Sequence, residues 1–227
     1  MIIVRISGGL GNQMFQYAVG KALAIKKKDI LKLDLSFFNR QNLRKYELNK
    51  FQIKEDLASK KEVIKLRRNE NLIFRIKNKF GFSFERPNSY YCEKNAPTFN
   101  NNIFYIENKD IYLDGYWQNE NYFKEIRSIL LKEFNPKYNF KNKIINYITE
   151  VNSSESISIH VRRGDYVYNS ITNKYHGTCG LDYYKRAINY IREKIKNCIF
   201  FIFSDDIKWC KQNFSFIRNE YNRNNSY

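Results

Sequence analysis

The stretch "MIIVRISGGLGNQMFQYAVGKALAIKKKDILKLDL" (residues 1–35) predicts the fold of the first half of the chain. Apolar, mostly β-branched residues at 2–6 indicate a buried strand, and the glycines of "GGLG" (8–11) indicate a tight turn. Apolar residues then recur at helical spacing over 12–27, and "ILKLDL" (30–35) indicates a second strand. Strand, helix and strand in this order predict a β-α-β unit with parallel strands.

The second half of the chain repeats this alternation. "SISIHV" (156–161) predicts a strand, a loop follows over 163–180, and helical spacing extends over 181–196. "CIFFIF" (198–203) predicts another strand, with a short helix at 206–213. The chain is therefore expected to be an α/β protein built from two similar halves.

The region between the halves predicts a domain boundary. "IYLDGYWQ" (111–118) indicates a strand leading into a loop, and helical spacing follows over 122–134 and 141–151, with Pro136 ending the first of these helices. The polar run "NSSE" comes next. We place one domain at 1–151 and a second at 152–227, and the second is expected to be incomplete because it has two clear strands.

The chain is strongly basic, with a formal net charge of +17 from 40 basic and 23 acidic residues. A basic surface attracts phosphates, nucleic acid or anionic lipid, but a codon bias towards Asn, Lys and Ile explains the charge equally well. The basic, partly apolar segment 60–79 fits either an amphipathic helix on an anionic membrane or a solvated helix packed on the protein. We expect no nucleic-acid partner, because no binding motif is present and the basic residues are dispersed.

The sequence favours neither a metal site nor a membrane span. The four cysteines include no C-x-x-C pair, there are two histidines, and no D-x-D triplet occurs. No run approaches the roughly 18–20 apolar residues that span a bilayer, and "MIIVRISGGLGNQ" does not have the features of a signal peptide. We expect a cytoplasmic protein without a metal or cofactor, in peripheral contact with the membrane at most.

The motif "HVRRGD" stands at the carboxyl end of the predicted strand 156–161, where open α/β sheets bind ligands. Two guanidinium groups, on Arg162 and Arg163, match a phosphate or diphosphate. Asp165 can orient one of them or bind a hydroxyl, and His160 is a candidate acid or base. The alternative is an ion pair that only stabilises the strand end.

Two further polar clusters follow predicted strands. In "SGGLGNQMFQYA" (7–18), Gly9 allows close approach of a ligand, and Asn12 and Gln13 can bind sugar hydroxyls, although Asn12 also suits a helix N-cap. Met14 replaces the third glycine of the dinucleotide-binding fingerprint. The second cluster, "FSDD", offers groups for a ribose or base, or for helix capping; these are Ser204, Asp205 and Asp206.

Taken together, these motifs resemble the bacterial α-1,2-fucosyltransferases of glycosyltransferase family 11. "GGLGNQMFQYA" is similar to that family's N-terminal signature, "LDGYWQNENYF" (113–123) to its central motif, and "HVRRGDYV" to the H-x-R-R-x-D motif shared with other fucosyltransferases. "LDYYKRAI" (181–188) and "FIFSDDIKWC" (201–210) also resemble family segments, in the same order. The resemblance extends from residue 1 to about 214.

The resemblance implies a GT-B fold with two Rossmann-like domains, GDP-fucose as donor, a galactose-containing glycan as acceptor, inversion, and no metal. By motif match, Arg162 and Arg163 would hold the GDP-fucose diphosphate, with Arg163 as the main and catalytic candidate. Asp165 would orient these arginines or contact the nucleotide, His160 would line the site, and 204–206 would lie near the nucleotide. The residues on the acceptor side would be Gly9, Asn12 and Gln13. The base is unassigned, with His160 and Asp114 as candidates. Other nucleotide-sugar transferases and a nucleic-acid-binding protein remain the alternatives.

One feature departs from the family pattern. Family members usually continue to an Asn-Ser-Ser-Phe-Ser-Trp-Trp-like motif near the donor site, and this sequence ends in "RNEYNRNNSY" (218–227) instead. A half-domain with two strands exposes a sheet edge and apolar helix faces. We therefore expect a truncated enzyme that is weakly stable or inactive.

Overall fold

A computed structural model gives the arrangement of most of the chain. It describes residues 1–40, 43–67, 87–94, 96, 98–137, 142–170, 173–174 and 177–217. The chain divides into two compact units, Met1–Tyr138 (unit 1) and Asn139–Tyr227 (unit 2). The division precedes the helix at 142–152, whereas the sequence placed a boundary after it. The assignment of folding domains stays a prediction.

Unit 1 contains a four-stranded parallel sheet in the order β2-β1-β4-β3. The predicted β-α-β unit is confirmed, and its first strand lies inside the sheet between β2 and β4. The elements of unit 1 are β1 (Ile2–Arg5), α1 (Leu10–Lys27), β2 (Leu31–Asp34), α2 (Lys60–Arg67), β3 (Tyr90–Cys92), β4 (Ile111–Asp114) and α3 (Arg127–Glu133).

Three details of unit 1 differ from the prediction. Helix α1 begins at Leu10 with Gly9 as its N-cap, so Asn12 lies within the first turn and the N-cap interpretation is wrong. Strand β3 was not predicted, because three residues are too short to show an alternating pattern. The predicted helix over 122–134 is interrupted at Phe123, which separates two 3₁₀ turns that precede α3.

Helix α1 packs closely on the sheet and forms the main core of unit 1. A Cβ atom at Gly20 would lie 2.8 Å from Leu31 Cδ1 and 3.1 Å from Val4 Cγ1, so the missing side chain allows the helix to approach β1 and β2. Tyr17 and Trp117 are among the largest fully buried side chains of this core. Burial of such large apolar groups is the main source of stability here.

Another cluster of unit 1 joins helix α2 to the sheet through a buried ion pair. Leu66 packs with Ile3 and Tyr112, and the Arg67 guanidinium lies 3.5 Å from the Asp34 carboxylate, with both side chains more than nine-tenths buried. The Tyr112 hydroxyl donates to Asp34 and accepts from Arg67. The packed-helix interpretation is therefore correct for 60–67, while 68–79 lies outside the described residues.

Unit 2 has two parallel strands in its described part, with helices packed on one face of the pair. Five residues of the predicted loop at 163–180 form a short helix instead. The elements of unit 2 are α4 (Asn142–Asn152), β5 (Ser156–Val161), α5 (Gly164–Tyr168), α6 (Leu181–Lys194), β6 (Ile199–Ser204) and α7 (Ile207–Asn213). Across the described residues of both units, no helix is long and apolar enough to cross a membrane.

We expect the Arg67→Met variant to lower the free energy of unfolding by about 3 kcal/mol, because it leaves the Asp34 charge buried without its cation. Lys65→Met is the matched control on the same helix, since Lys65 pairs with Asp110 at the surface and its side chain is 69% exposed. Its loss should be about 0–1 kcal/mol. Urea unfolding followed by circular dichroism measures both, and equal losses would contradict a special role for the buried pair.

Candidate functional site

Arg162, Arg163, Asp205 and Asp206 form a cluster in unit 2, which we call the arginine cluster. It forms because β5 and β6 end side by side. The two strands are parallel and in register, with Val161 opposite Ser204. The residues that follow, 162–163 on one strand and 205–206 on the other, are therefore adjacent. The structure thus brings together the two arginines and the two aspartates that the sequence singled out.

Arg162 is held by one of these aspartates. Its guanidinium lies 3.2 Å from Asp205 Oδ2 and 5.3 Å from the centre of the Tyr166 ring. The Arg162 side chain is 37% exposed. An arginine in this position keeps its charge at the surface while one edge is fixed.

Arg163 is held by the other aspartate and by an aromatic ring. Its Nε atom donates to Asp206 Oδ2 at 3.3 Å, and its guanidinium stacks 4.0 Å above the Trp209 ring. The bond to Asp206 uses Nε, and the two terminal nitrogens make no hydrogen bond to any residue that the structure describes. A guanidinium fixed in this way can offer both terminal nitrogens to one phosphate.

Asp205 joins the two strand ends through the backbone. Its Oδ1 atom accepts a hydrogen bond of 2.8 Å from the backbone N–H of Arg163. Burial opposes ionisation of this carboxyl, but the backbone N–H groups of Arg163 and Gly164 and the charge of Arg162 outweigh it, so its pKa lies below the ordinary value. A Cβ at Gly164 would lie 2.7 Å from Asp205 Oδ2, so the close approach of the Asp205 carboxylate to the backbone of residue 164 depends on the glycine there.

Asp206 and Ser204 organise the start of helix α7. Asp206 Oδ1 accepts from the backbone N–H of Trp209 at 3.1 Å, and Ser204 Oγ accepts from the Asp206 N–H at 2.9 Å. The helix-capping interpretation is therefore correct for Asp206, which at the same time orients Arg163. Sequence reasoning missed Trp209, although an aromatic residue one turn into a capped helix was the available signal.

The remaining candidates of unit 2 are His160 and Asp165. His160 lies on β5 opposite Phe203, with its side chain exposed on the face that does not pack against the helices. Asp165 lies in α5, and its side chain is outside the described part of the chain. The roles assigned to both residues stay predictions.

The glycine-rich loop of unit 1 follows β1 and contacts the loop that follows β4. Gly8 has φ +76°, and a Cβ there would lie 2.7 Å from the Asn12 side chain. Asn12 Oδ1 accepts from Gln118 Nε2 at 2.7 Å. A Cβ at Gly9, the N-cap of α1, or at Gly11 in its first turn would contact no described atom, so the start of the helix is open on this side.

Gln13 does not have the exposed position that was expected for binding an acceptor. Its side chain is fully buried, and its Nε2 donates to the carbonyl oxygens of Gly8 and Lys45, while its Oε1 accepts from the Glu47 N–H. Gln16, which sequence reasoning missed, is equally buried and joins the two loops through Gly115. The signal in the sequence was the spacing of Gln13 and Gln16, which puts both on one face of the predicted helix.

Asp114, a candidate base, is already engaged within unit 1. Arg5 donates to both of its carboxylate oxygens at 3.1 Å, and the Tyr90 hydroxyl donates to Oδ2 at 2.7 Å. This arrangement positions Asp114 at the end of β4, and its role as a base stays a prediction. Among the residues that the structure describes, no group of three His, Cys, Asp or Glu side chains could hold a metal ion.

Comparison with known proteins finds a family model and relatives that match most of the chain. Residues 1–225 match the family model described as Glycosyl transferase family 11, which extends beyond the residue 214 where we ended the resemblance. An Escherichia coli alpha-1,2-colitosyltransferase is 37% identical over 217 residues, covering 93% of this chain and 71% of the relative. The E. coli O-antigen biosynthesis glycosyltransferase WbnK is 32% identical over 241 residues, covering 97% and 78%.

More distant relatives are found in mammals. The Bos taurus galactoside 2-alpha-L-fucosyltransferase SEC1 is 28% identical over 114 residues, which cover 48% of this chain and 31% of the relative. No solved structure gives a significant match.

We expect Asp205→Asn to lower the free energy of unfolding by about 1 kcal/mol at pH 7, because it removes a charged acceptor from two backbone N–H groups. The lowered pKa of Asp205 stabilises the fold above about pH 5, and this contribution is lost as the pH falls through the folded-state pKa. The difference between variant and wild type should therefore shrink as the pH falls through the folded-state pKa.

Urea unfolding at pH 7 and at about pH 3 tests this prediction. Glu155→Gln, the same change at an exposed carboxylate of unit 2, is the control and should have little effect at either pH. A loss in Asp205→Asn that is equal at both pH values would contradict the electrostatic explanation.

Proposed function

The chain belongs to glycosyltransferase family 11, and from this premise we propose that it transfers L-fucose from GDP-fucose to the 2-hydroxyl of a galactoside in a bacterial surface glycan. The reaction proceeds with inversion at the anomeric carbon and without a metal. In this proposal unit 2 binds the donor nucleotide, unit 1 binds the acceptor, and the whole is a GT-B fold. Two of the relatives are named as α-1,2-transferases, which supports the proposed α-1,2 linkage of the product.

The observation that carries the proposal is the pair of arginines fixed at the end of β5. The cluster presents guanidinium groups whose orientation is set by Asp205 and Asp206, and Gly164 leaves the space that Asp205 occupies. A diphosphate carries the charge and the oxygen geometry that such groups bind. Arg163, whose two terminal nitrogens make no hydrogen bond to any described residue, is its main partner.

The chemistry of fucosyl transfer explains why two arginines are needed. As the bond between the anomeric carbon and the diphosphate breaks, positive charge develops on the sugar and negative charge on the leaving group. Guanidinium groups that are already in position stabilise the developing negative charge without reorganisation. The acceptor's 2-hydroxyl oxygen bonds to the opposite face of the anomeric carbon, GDP leaves, and the hydroxyl proton passes to a base.

A second candidate differs in the donor sugar. The 37% identical relative is named for the transfer of colitose, so a GDP-linked deoxysugar other than fucose is the runner-up for this chain. The arginine cluster would bind the diphosphate of either donor in the same way. The difference between the two candidates lies in the pocket for the transferred sugar.

We expect the chain to bind GDP in preference to ADP and UDP, and Arg163→Ala to weaken GDP binding roughly 10- to 100-fold, because a charged hydrogen-bond partner is lost. Isothermal titration calorimetry measures both. Arg186→Ala removes an exposed arginine from helix α6 of the same unit and should leave GDP affinity unchanged. Equal affinity in Arg163→Ala and wild type would contradict the proposal.

With GDP-fucose and lactose, we expect a product in which fucose is α-linked to the 2-hydroxyl of galactose, formed at the same rate with and without EDTA. NMR of the product determines the linkage and the anomeric configuration. GDP-colitose, supplied in parallel, separates the two donor candidates. Transfer to another hydroxyl, or a product that retains the donor's configuration, would overturn the proposed reaction.

A further inference from the structure

Trp209 lies in the first turn of helix α7, and the face of its ring lies against the arginine cluster. The Arg163 guanidinium carbon is 4.0 Å from the ring centre, which is van der Waals contact between the two groups. Arg162 is 5.3 Å from the ring of Tyr166, and no cation–ring distance elsewhere among the described residues is below 4.8 Å. The contact of Trp209 with Arg163 is therefore the closest of its kind in the described part of the chain.

Three contacts join Trp209, Arg163 and Asp206 into a closed triangle. Asp206 accepts from Arg163 Nε through Oδ2 at 3.3 Å, and from the backbone N–H of Trp209 through Oδ1 at 3.1 Å. The Trp209 ring completes the triangle by covering one face of the Arg163 guanidinium. The N-cap of helix α7 thus fixes the indole and the guanidinium relative to each other.

This arrangement determines which way the terminal nitrogens of Arg163 point. The salt bridge to Asp206 occupies Nε and the indole covers one face, so rotation of the guanidinium plane would break both contacts. The two terminal nitrogens make no hydrogen bond to any residue that the structure describes. Held in one plane, they form the fork that matches two oxygens of one phosphate.

The apolar core of unit 2 does not by itself explain an aromatic ring at position 209. The indole meets Phe214 edge-on, with ring centres 5.8 Å apart, and an aliphatic side chain of similar size would also pack there. Only an aromatic ring offers an electron-rich face to a cation, and tryptophan does so best. The Arg163 side chain is 19% exposed, so the contact is partly shielded from water, and this shielding strengthens it.

We propose that Trp209 is a positioning residue for the donor. It acts through Arg163, by holding the guanidinium in the plane in which both terminal nitrogens bind one phosphate of a nucleotide diphosphate. The inference rests on the proposed function, because it assigns the diphosphate to the arginine cluster. It adds that a side chain without contact to the donor determines how tightly the donor binds.

Isothermal titration calorimetry of the full chain with GDP measures this contribution. We expect Trp209→Leu to weaken GDP binding roughly 3- to 30-fold, the range that loss of a cation–π contact predicts. Trp209→Phe keeps a ring that attracts cations less strongly, so its GDP affinity should lie between those of the wild type and Trp209→Leu, and it keeps the test valid if Trp209→Leu does not fold. Equal GDP affinity in the wild type and both variants would overturn the inference.

Phe216→Leu is the matched control, because it removes another partly buried aromatic ring from the same apolar cluster. The Phe216 ring stacks on Phe214 and lies near the Lys185 ammonium group. We expect this variant to lower the free energy of unfolding, measured with urea, and to leave GDP affinity unchanged. A loss of GDP affinity equal to that of Trp209→Leu would show that the effect comes from the core, and it would overturn the positioning role.

A double-mutant cycle shows whether Trp209 acts through Arg163. In the Arg163→Ala background, Trp209→Leu should change GDP affinity by less than about twofold, because the group that it positions is absent. A purely structural role, or direct contact of the indole with GDP, predicts the same loss in both backgrounds. Additive losses would therefore contradict the inference, and they would leave Arg163 as the main partner of the diphosphate.

A measurement without ligand separates this inference from the proposed function. The Arg163 Nε–H group gives a signal in ¹H–¹⁵N NMR spectra, which Arg163→Ala identifies, and the ring current of Trp209 should shift it upfield. We expect Trp209→Leu to remove this shift and Phe216→Leu to retain it. An Arg163 signal that is unchanged in Trp209→Leu overturns the inference, whether or not GDP binds. A shift that depends on Trp209 in a chain that does not bind GDP supports the positioning of Arg163 and contradicts the proposed donor.

Discussion

Parallel pairing of strands is the constraint on which both candidate sites depend. In unit 2 the pairing of Val161 with Ser204 sets the arginines beside the aspartates, and in unit 1 the pairing of Cys92 with Asp114 sets Glu93 beside the loop after β4. An antiparallel pair would put the two segments at opposite ends of the strands. The residues that carry the chemistry are therefore distant in sequence and neighbours in space because of backbone register.

The ion pairs of the arginine cluster are better explained by orientation than by stability. Exposed or half-exposed pairs contribute about 0–1 kcal/mol each, which is little against the cost of ordering two long side chains. The same contacts fix the guanidinium of Arg163 between Asp206 and Trp209. A group that is ordered before the ligand arrives loses less entropy on binding, and it is in place when charge develops in the transition state.

The sequence predicted those features that repeat or that stand next to each other along the chain. Periodicity predicted the β-α-β unit, and adjacency predicted the cluster of Arg162 and Arg163. It did not predict β3, which is too short for a pattern, or the partners of Glu93, which lie more than twenty residues away. Gln13 shows a different failure, because a polar residue in a motif can serve either a ligand or the backbone, and only the structure shows which.

Hydrogen bonding separates two kinds of buried polar group in unit 1. Gln13, Gln16 and Asp114 are buried or half-buried, and their polar atoms pair with neighbouring loops or side chains, so these residues fix the loops that follow β1 and β4. Arg5 Nε, Glu93 Oε1 and Trp117 Nε1 are buried and form no hydrogen bond among the described residues. Arg5 and Glu93 are nevertheless held through their other polar atoms, Arg5 by Asp114 and Glu93 by the backbone N–H groups of the loop after β4. Each unpaired atom costs about 1–3 kcal/mol, and the firm contacts of the same side chains and the burial of the core around them offset this cost.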